Sequence, residues 1–352
     1  MAPAQRHEDP AGARPERHPG FLDRLLPRER RARERLQRSR IAVVTDTAAA
    51  LPQAWADAHA DRLRVVPMPV MIDGQIYTEG LDDVETALAL ALATGGTVKT
   101  SRPAPGAFQR AYESLERAGY DQIVSLHLSK ELSGTVDAAR WAAEQVAVPV
   151  SVLDSRTVGL AQGLAVMDTV LAAEAGLPLA AVEAVARQAE SYAICFVVPS
   201  LEQLRKGGRI GTAASMLGTL LAVKPLLAVQ NGRVVVREKV RTTPRAMARL
   251  VEISREAADA APAGVRVAVH YFGNPDQADE LRAELESSTG EDILCEPLPS
   301  VLAAHAGAGV LAVVIAPLAT PETATTPSDD TEAPDAETHP STGTSAEAGT
   351  RE

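Results

Sequence analysis

The chain is poor in cysteine, with only Cys195 and Cys295 among 352 residues. There is no CxxC pair and no histidine cluster, which excludes a disulfide framework and argues against a structural metal site. Both thiols sit in apolar surroundings, AICFVV and ILCEPL, and are expected to be buried and inert. No apolar run approaches the roughly 20 residues that span a bilayer, and no signal-peptide core precedes the first strand. A cytoplasmic location is therefore expected. Neither G-x-x-x-x-G-K-[ST] nor a dinucleotide fingerprint occurs, so a phosphate-handling enzyme has no motif to support it.

What is present divides by charge. Met1 to Arg40 holds 11 arginines and 6 acidic residues, a net of +5. Ala319 to Glu352 holds 1 arginine and 8 acidic residues, a net of −7. Both ends are rich in Pro, Ala and charge or Ser/Thr and have few aromatics, a composition that does not bury enough surface to order itself. Residues 1–39 and 319–352 are expected to be disordered tails, basic and acidic respectively. The run Arg28 to Arg40, beside Phe21, Leu25 and Leu26, suits anionic lipid or nucleic acid. Glu29 and Glu34 dilute it, and a solvated tail is the preferred reading, with no nucleic-acid partner and at most peripheral membrane contact.

The remainder is long enough for two domains, expected over residues 40–160 and 161–318. Ile41 to Thr45 reads as a strand ending in Asp46 and Thr47, Pro52 to Ala60 as a helix, and Leu63 to Val70 as a strand. Asp73-Gly74 marks a hairpin, and Val148 to Leu153 a further strand ending at Asp154. Strands alternating with helices predict an α/β fold whose first domain carries a mainly parallel sheet. Ligands of such sheets bind beyond the carboxyl ends of the strands, where Asp46, Thr47, Ser129 to Thr135 and Asp154 fall. Two apolar helices follow, GLAQGLAVMDTVLAAEAG and AAVEAVARQAESY, then the strand ICFVV and a helix MLGTLLAV. The hairpin PLLAVQNGRVVVREKV turns at Asn231-Gly232, and VRVAVHYFG, DILCEPLP and VLAVVIAP complete a second α/β domain.

Two loops carry the chemistry. In QIVSLHLSKELSGTVDAARWAAEQV an apolar strand leads through a polar loop into a helix whose first turn holds Ser133, Gly134 and Thr135. Unpaired N–H groups and the helix dipole suit an anion there, although Ser and Thr are also the favoured cap residues. Upstream, Thr100 and Ser101 precede the helix AFQRAYESLERAG in a loop stiffened by Pro103 and Pro105. Two hydroxyl-bearing loops converging on one carboxylate or phosphate form an oxyanion pocket. His127, alone in an apolar strand, reads as a satisfied structural histidine, and His270 likewise.

The ordered set IAVVTDTAAALP, VVPMPVMIDGQIYTEG, TSRPAPG, LSGT, LRKGGRI and AAHAGAG resembles the DegV family from about Arg40 to Pro317. These are bacterial fatty-acid-binding proteins, including the binding subunits of fatty acid kinase. The resemblance implies a long-chain fatty acid such as palmitate or oleate, its tail in an apolar tunnel and its carboxylate in or beside the interdomain cleft. It places the carboxylate on Thr100, Ser101, Ser133, the Gly134 and Thr135 backbone, and His305. Arg205, Lys206 and Arg209 around Gly207-Gly208 would dock a fatty acid kinase catalytic subunit. On charge alone that turn is a partner patch, an anion nest or a solvated loop.

For His305 a loop histidine capping a carbonyl is the alternative. Flanking Gly307 and Gly309, which permit close backbone approach, favour ligand contact. Ala104, Ala304 and Ala306 stand where the family often has Ser or Thr, and Ala308 where it has Pro. The implied function is therefore a carrier with no catalytic residue, no cofactor and no metal, which shields the acyl chain and presents its carboxylate for phosphorylation. The competing class is a serine hydrolase or acyltransferase using Ser133 with His305 as base, against which LSGT lacks a G-x-S-x-G elbow.

Overall fold

The computed structural model describes residues 40–211, 224–290 and 292–318. Both expected tails and the expected helix MLGTLLAV lie outside the described residues.

Strand β1 (Ile41–Asp46) is buried along its whole length, and a 3-10 turn over Thr47–Ala49 follows it. Helix α1 (Gln53–Ala58) leads to β2 (Leu63–Val66). The single strand expected from Leu63 to Val70 is interrupted, because Pro67 and Pro69 have no N–H to give a ladder. A second strand, β3 (Val70–Ile72), instead pairs antiparallel with β4 (Gln75–Tyr77) across Asp73-Gly74, where both residues have positive φ (48° and 87°). Helix α2 (Val84–Thr94) follows, concealed in the sequence by its alternating ALALAL pattern. Its ends are marked: Asp83 accepts from the Thr86 N–H at 3.2 Å, and Gly95 closes it at φ 79°. Strand β5 (Val98–Thr100) pairs with β3, completing a three-stranded antiparallel sheet.

Helix α3 (Pro105–Arg117), β6 (Gln122–His127), α4 (Thr135–Ala143) and β7 (Val150–Asp154) complete the first half. Strands β2-β1-β6-β7 form a wholly parallel sheet in that order. One face packs Phe108, Tyr112 and Leu115 of α3 against Ala138, Ala139 and Ala142 of α4 and the strand residues Val44 and Ile123. The other face meets α5 (Gly159–Glu174) and α6 (Leu179–Arg187). Helix α5 approaches very closely: a β-carbon on Gly163 would stand 2.2 Å from the Ala49 carbonyl oxygen.

The second half contains β8 (Ala193–Val197), α7 (Glu202–Lys206), β9 (Lys224–Gln230) and β10 (Arg233–Val240). It continues through α8 (Thr243–Ala260), β11 (Val265–Phe272), α9 (Pro275–Thr289), β12 (Leu294–Pro297), α10 (Ser300–Ala306) and β13 (Val310–Pro317). Its sheet runs β10-β9-β8-β13-β11-β12, antiparallel throughout except for the parallel pair β11 and β12. The β9–β10 hairpin turns at Asn231-Gly232 with φ of 50° and 79°, as its residues predict. Helices α8 and α9 cover one face, packing Leu250, Leu281 and Leu285 on Val267, Val269 and Val313. The opposite face shares one continuous core with α5 and the parallel sheet. The described residues thus pack as one unit, and the 160/161 boundary expected from sequence falls inside α5. No helix among the described residues is long and apolar enough to cross a membrane.

Candidate functional site

Where the loops of the parallel sheet meet the inner face of the six-stranded sheet, they enclose a cavity of about 110 Å³. Alternate residues of a strand share a face, so Ile194 and Phe196 of β8 and Val310 and Ala312 of β13 together form an apolar wall. Leu128 and Leu132, from the loop after β6, face that wall. At the polar end stand Thr100, Ser101, Arg102, Ser133, Arg209 and His305. Ser101 and Arg102 are exposed, so this end reaches solvent while the apolar wall is buried.

Thr100 ends β5, and the Ser101 N–H donates to the Pro69 carbonyl at 3.2 Å, which fixes the first hydroxyl loop. His305 lies in the last turn of α10, with Nε2 2.7 Å from Thr100 Oγ1. Its Nδ1 is buried and has no hydrogen-bond partner among the described residues. Burial, with Arg209 nearby as the lesser cause, pushes the imidazole pKa down to about 4, so the ring is neutral near pH 7. Gly307 and Gly309, at φ 85° and 84°, turn the chain from α10 into β13. Their freedom serves that turn, a different reason from the ligand approach expected of them.

The Ser133 and Thr135 hydroxyls bond to each other at 2.8 Å. Gly134 is the N-cap of α4, and no side chain caps that helix, so the cap alternative for Ser133 is not realised. Ser133 lines the cavity; Gly134 and Thr135 are not among its lining residues, and Thr135 is fully buried. No hydrogen bond among the described residues joins Ser133 to His305, and no carboxylate orients the imidazole.

The basic turn divides. Leu204 of α7 lines the cavity, while Arg205 and Lys206 on the same helix are exposed, Lys206 pairing with Glu202 at 2.8 Å. Arg209 belongs to the cavity wall. Its Nε donates to the Leu132 carbonyl at 3.0 Å and its Nη1 to the Gly207 carbonyl. The three charges read as one patch are therefore two exposed cations and one pocket cation.

The alanines that stand where the resemblance implies Ser, Thr or Pro also separate. Ala104 is the N-cap of α3 and makes no side-chain cap bond, so a hydroxyl there would serve the helix. Ala306 lines the cavity, Ala304 is buried in α10, and Ala308 is exposed.

A buried polar file went unread in the sequence. Tyr112 OH, Ser125 Oγ, His127 Nε2, His127 Nδ1 and Asp46 Oδ2 are linked by contacts of 2.8, 2.7 and 2.8 Å. One proton order satisfies it: Tyr112 donates to Ser125, Ser125 to Nε2, and Nδ1–H to the carboxylate. Asp46 also accepts from the Ala48 and Leu128 N–H groups, holding the loop that enters the cavity. Ser125, His127 and Asp46 are 0% exposed and line no part of the cavity, so this serine–histidine–aspartate file is structural. The only sequence signal was Ser125 two places before His127 on one strand face. His270 is satisfied as expected: Nδ1–H donates to the Glu296 carbonyl at 3.0 Å and Nε2 accepts from the Leu160 N–H at 2.8 Å. Cys195 is buried, whereas Cys295 is half-buried, less enclosed than its sequence neighbours suggested.

The DegV family model, described as that of an uncharacterised protein, matches residues 40–318. A DegV domain-containing protein of Streptomyces coelicolor is 40% identical over 278 residues, 78% of this chain and 98% of that relative. Among solved structures, a fatty-acid-binding DegV family protein from Thermus thermophilus superposes with a TM-score of 0.74 at 33% identity, covering 79% of this chain and all of that one. DegV from Bacillus subtilis, a fatty acid binding protein, gives a TM-score of 0.71 at 28% identity, covering 79% and 99%. With a family model that matches its whole described core and a relative 40% identical over 278 residues, this chain belongs to the DegV family.

Proposed function

We propose that this protein binds a long-chain fatty acid, with the acyl chain along the apolar wall and the carboxylate at the polar end. The observation that carries this is the cavity's two-ended chemistry: strand-borne aliphatic and aromatic side chains at one end, and Thr100, Ser133, Arg209 and the loop of Ser101 at the other. An unpaired buried carboxylate costs several kcal/mol, and hydroxyl and guanidinium donors offset that cost. The fatty acid binding of the Thermus and Bacillus relatives supports the same reading. A hydrolase built on Ser133 and His305 has no supporting geometry, since His305 bonds to Thr100 and Ser133 to Thr135.

The finer reading is that of a carrier that presents the carboxylate to a separate fatty acid kinase. Arg205 and Lys206, exposed beside the cavity-lining Leu204, would meet the kinase. Extraction of lipid from the denatured, purified protein with mass analysis tests the ligand directly. A stoichiometric fatty acid, or saturable uptake of palmitate or oleate by stripped protein, is expected; the absence of both overturns the proposal.

A further inference from the structure

Gly207, the first glycine of RKGGR, has an ordinary helical backbone with φ −78° and ψ −10°. Conformation therefore does not demand glycine there. Space does. A β-carbon on Gly207 would stand 2.1 Å from His305 Nδ1 and 2.7 Å from its Cε1. The hydrogen that such a carbon would replace points at Nδ1. Its neighbour Gly208 is different, with φ 70° and, among the described residues, no atom within 4 Å of the corresponding position.

Among the described residues Nδ1 has no hydrogen-bond partner. Protonated, it would be a buried donor facing a C–H group, an uncompensated loss of hydration. Unprotonated, it accepts a weak C–H contact from Gly207. In the neutral ring the proton then sits on Nε2, 2.7 Å from Thr100 Oγ1. Nε2–H donates, the Thr100 oxygen accepts, and the Thr100 O–H is left free to point into the cavity. The other tautomer reverses this: Thr100 would donate to Nε2 and turn lone pairs towards an incoming carboxylate. The Gly207 carbonyl meanwhile accepts from Arg209 Nη1, so one residue seats both the imidazole and the pocket guanidinium.

We propose that Gly207 is a positioning residue of the acid site: packed on Nδ1, it holds His305 as the Nε2–H tautomer and so makes Thr100 a donor to the bound carboxylate. His305 acts on the ligand through Thr100. The ligand rests on the fatty-acid reading; the tautomer does not.

Two measurements separate them. In delipidated protein labelled with 15N-histidine, long-range proton–nitrogen correlations report the tautomer, with His305 assigned by its loss in His305→Gln. Nε2–H is expected for His305, against Nδ1–H for His270 in the same spectrum; a dominant Nδ1–H form of His305 overturns the proposal. Gly207→Ala is expected to weaken palmitate binding about tenfold or more, the equivalent of one lost hydrogen bond to a charged group. In a His305→Ala background the same change is expected to cost little further, because the ring it collides with is gone. Additive losses in the double variant overturn the positioning role. Should Gly207→Ala fail to fold, the wild-type tautomer decides. Should the wild type bind no fatty acid, the functional reading fails while the tautomer remains measurable.

Discussion

Thr100 Oγ1 and His305 Nε2 meet at 2.7 Å across 205 positions of sequence. Thr100 comes from a three-stranded antiparallel sheet and His305 from the helix before the last strand. Their bond joins the two halves of the chain at the polar end of the cavity.

Ser133→Ala is expected to weaken fatty acid binding by about 1.5–3 kcal/mol, the worth of a hydrogen bond to a charged group. No helix cap is lost, because Gly134 and not Ser133 occupies the N-cap of α4, so any fall in melting temperature should be small and trace to the lost Ser133–Thr135 hydroxyl contact. Titration calorimetry beside a thermal melt checks both; unchanged affinity with a lowered melting temperature would assign Ser133 to the helix.

Acid should destabilise the fold through its buried histidines. Burial lowers the His270 pKa from 6.5 to about 4, so the unfolded chain takes up a proton that the folded one refuses. Stability is then fully present above pH 6.5 and falls as pH drops towards 4, by on the order of 3 kcal/mol for this group. Urea midpoints across that range should show the slope. His270→Gln, which keeps an acceptor for the Leu160 N–H, should flatten it.

Ala104→Ser is expected to stabilise the protein by about 0.5–2 kcal/mol by capping α3, leaving fatty acid affinity unchanged. A gain in affinity instead would place the new hydroxyl in the acid site.

A protein lacking Met1 to Arg38 and Thr320 to Glu352 should fold and bind lipid, since neither segment has a core-forming composition. Arg40 must stay: its N–H donates to Asp121 at 2.9 Å and its guanidinium lies over the Tyr120 ring. Aggregation or ligand loss in the shortened protein would show that one tail packs on the core.

On the proposed carrier reading, Arg205→Ala with Lys206→Ala should slow acyl-phosphate formation by a fatty acid kinase while sparing fatty acid affinity, and added salt should mimic it in part. Arg209→Ala should reduce the affinity itself, because that side chain lines the cavity. Equal kinase turnover by the double variant and the wild type would remove α7 from the docking surface.

Local signals in the chain were sufficient for its hairpin turns and for most of its long strands. Asp73-Gly74 and Asn231-Gly232 turn where dipeptides of their kind must, and the apolar runs of β1, β6 and β13 became strands buried along all or nearly all of their length. Those features depend on residues adjacent in sequence, so periodicity and turn chemistry suffice to read them. The same reasoning passed over α2, whose alternating apolar residues imitate a strand, and ran β2 into β3 across two prolines.

For the site, residue types selected the hydroxyl loops of Thr100, Ser101 and Ser133, the family resemblance added His305, and the fold brings all four to one cavity. Which hydroxyl bonds the imidazole, that Arg209 parts from Arg205 and Lys206, and that Asp46 and His127 are sealed in the core were decided only by tertiary structure. Each depends on distance and burial between residues far apart in sequence. Partner choice and desolvation are set by how α5, the two sheets and the RKGGR turn pack, and no local pattern encodes them.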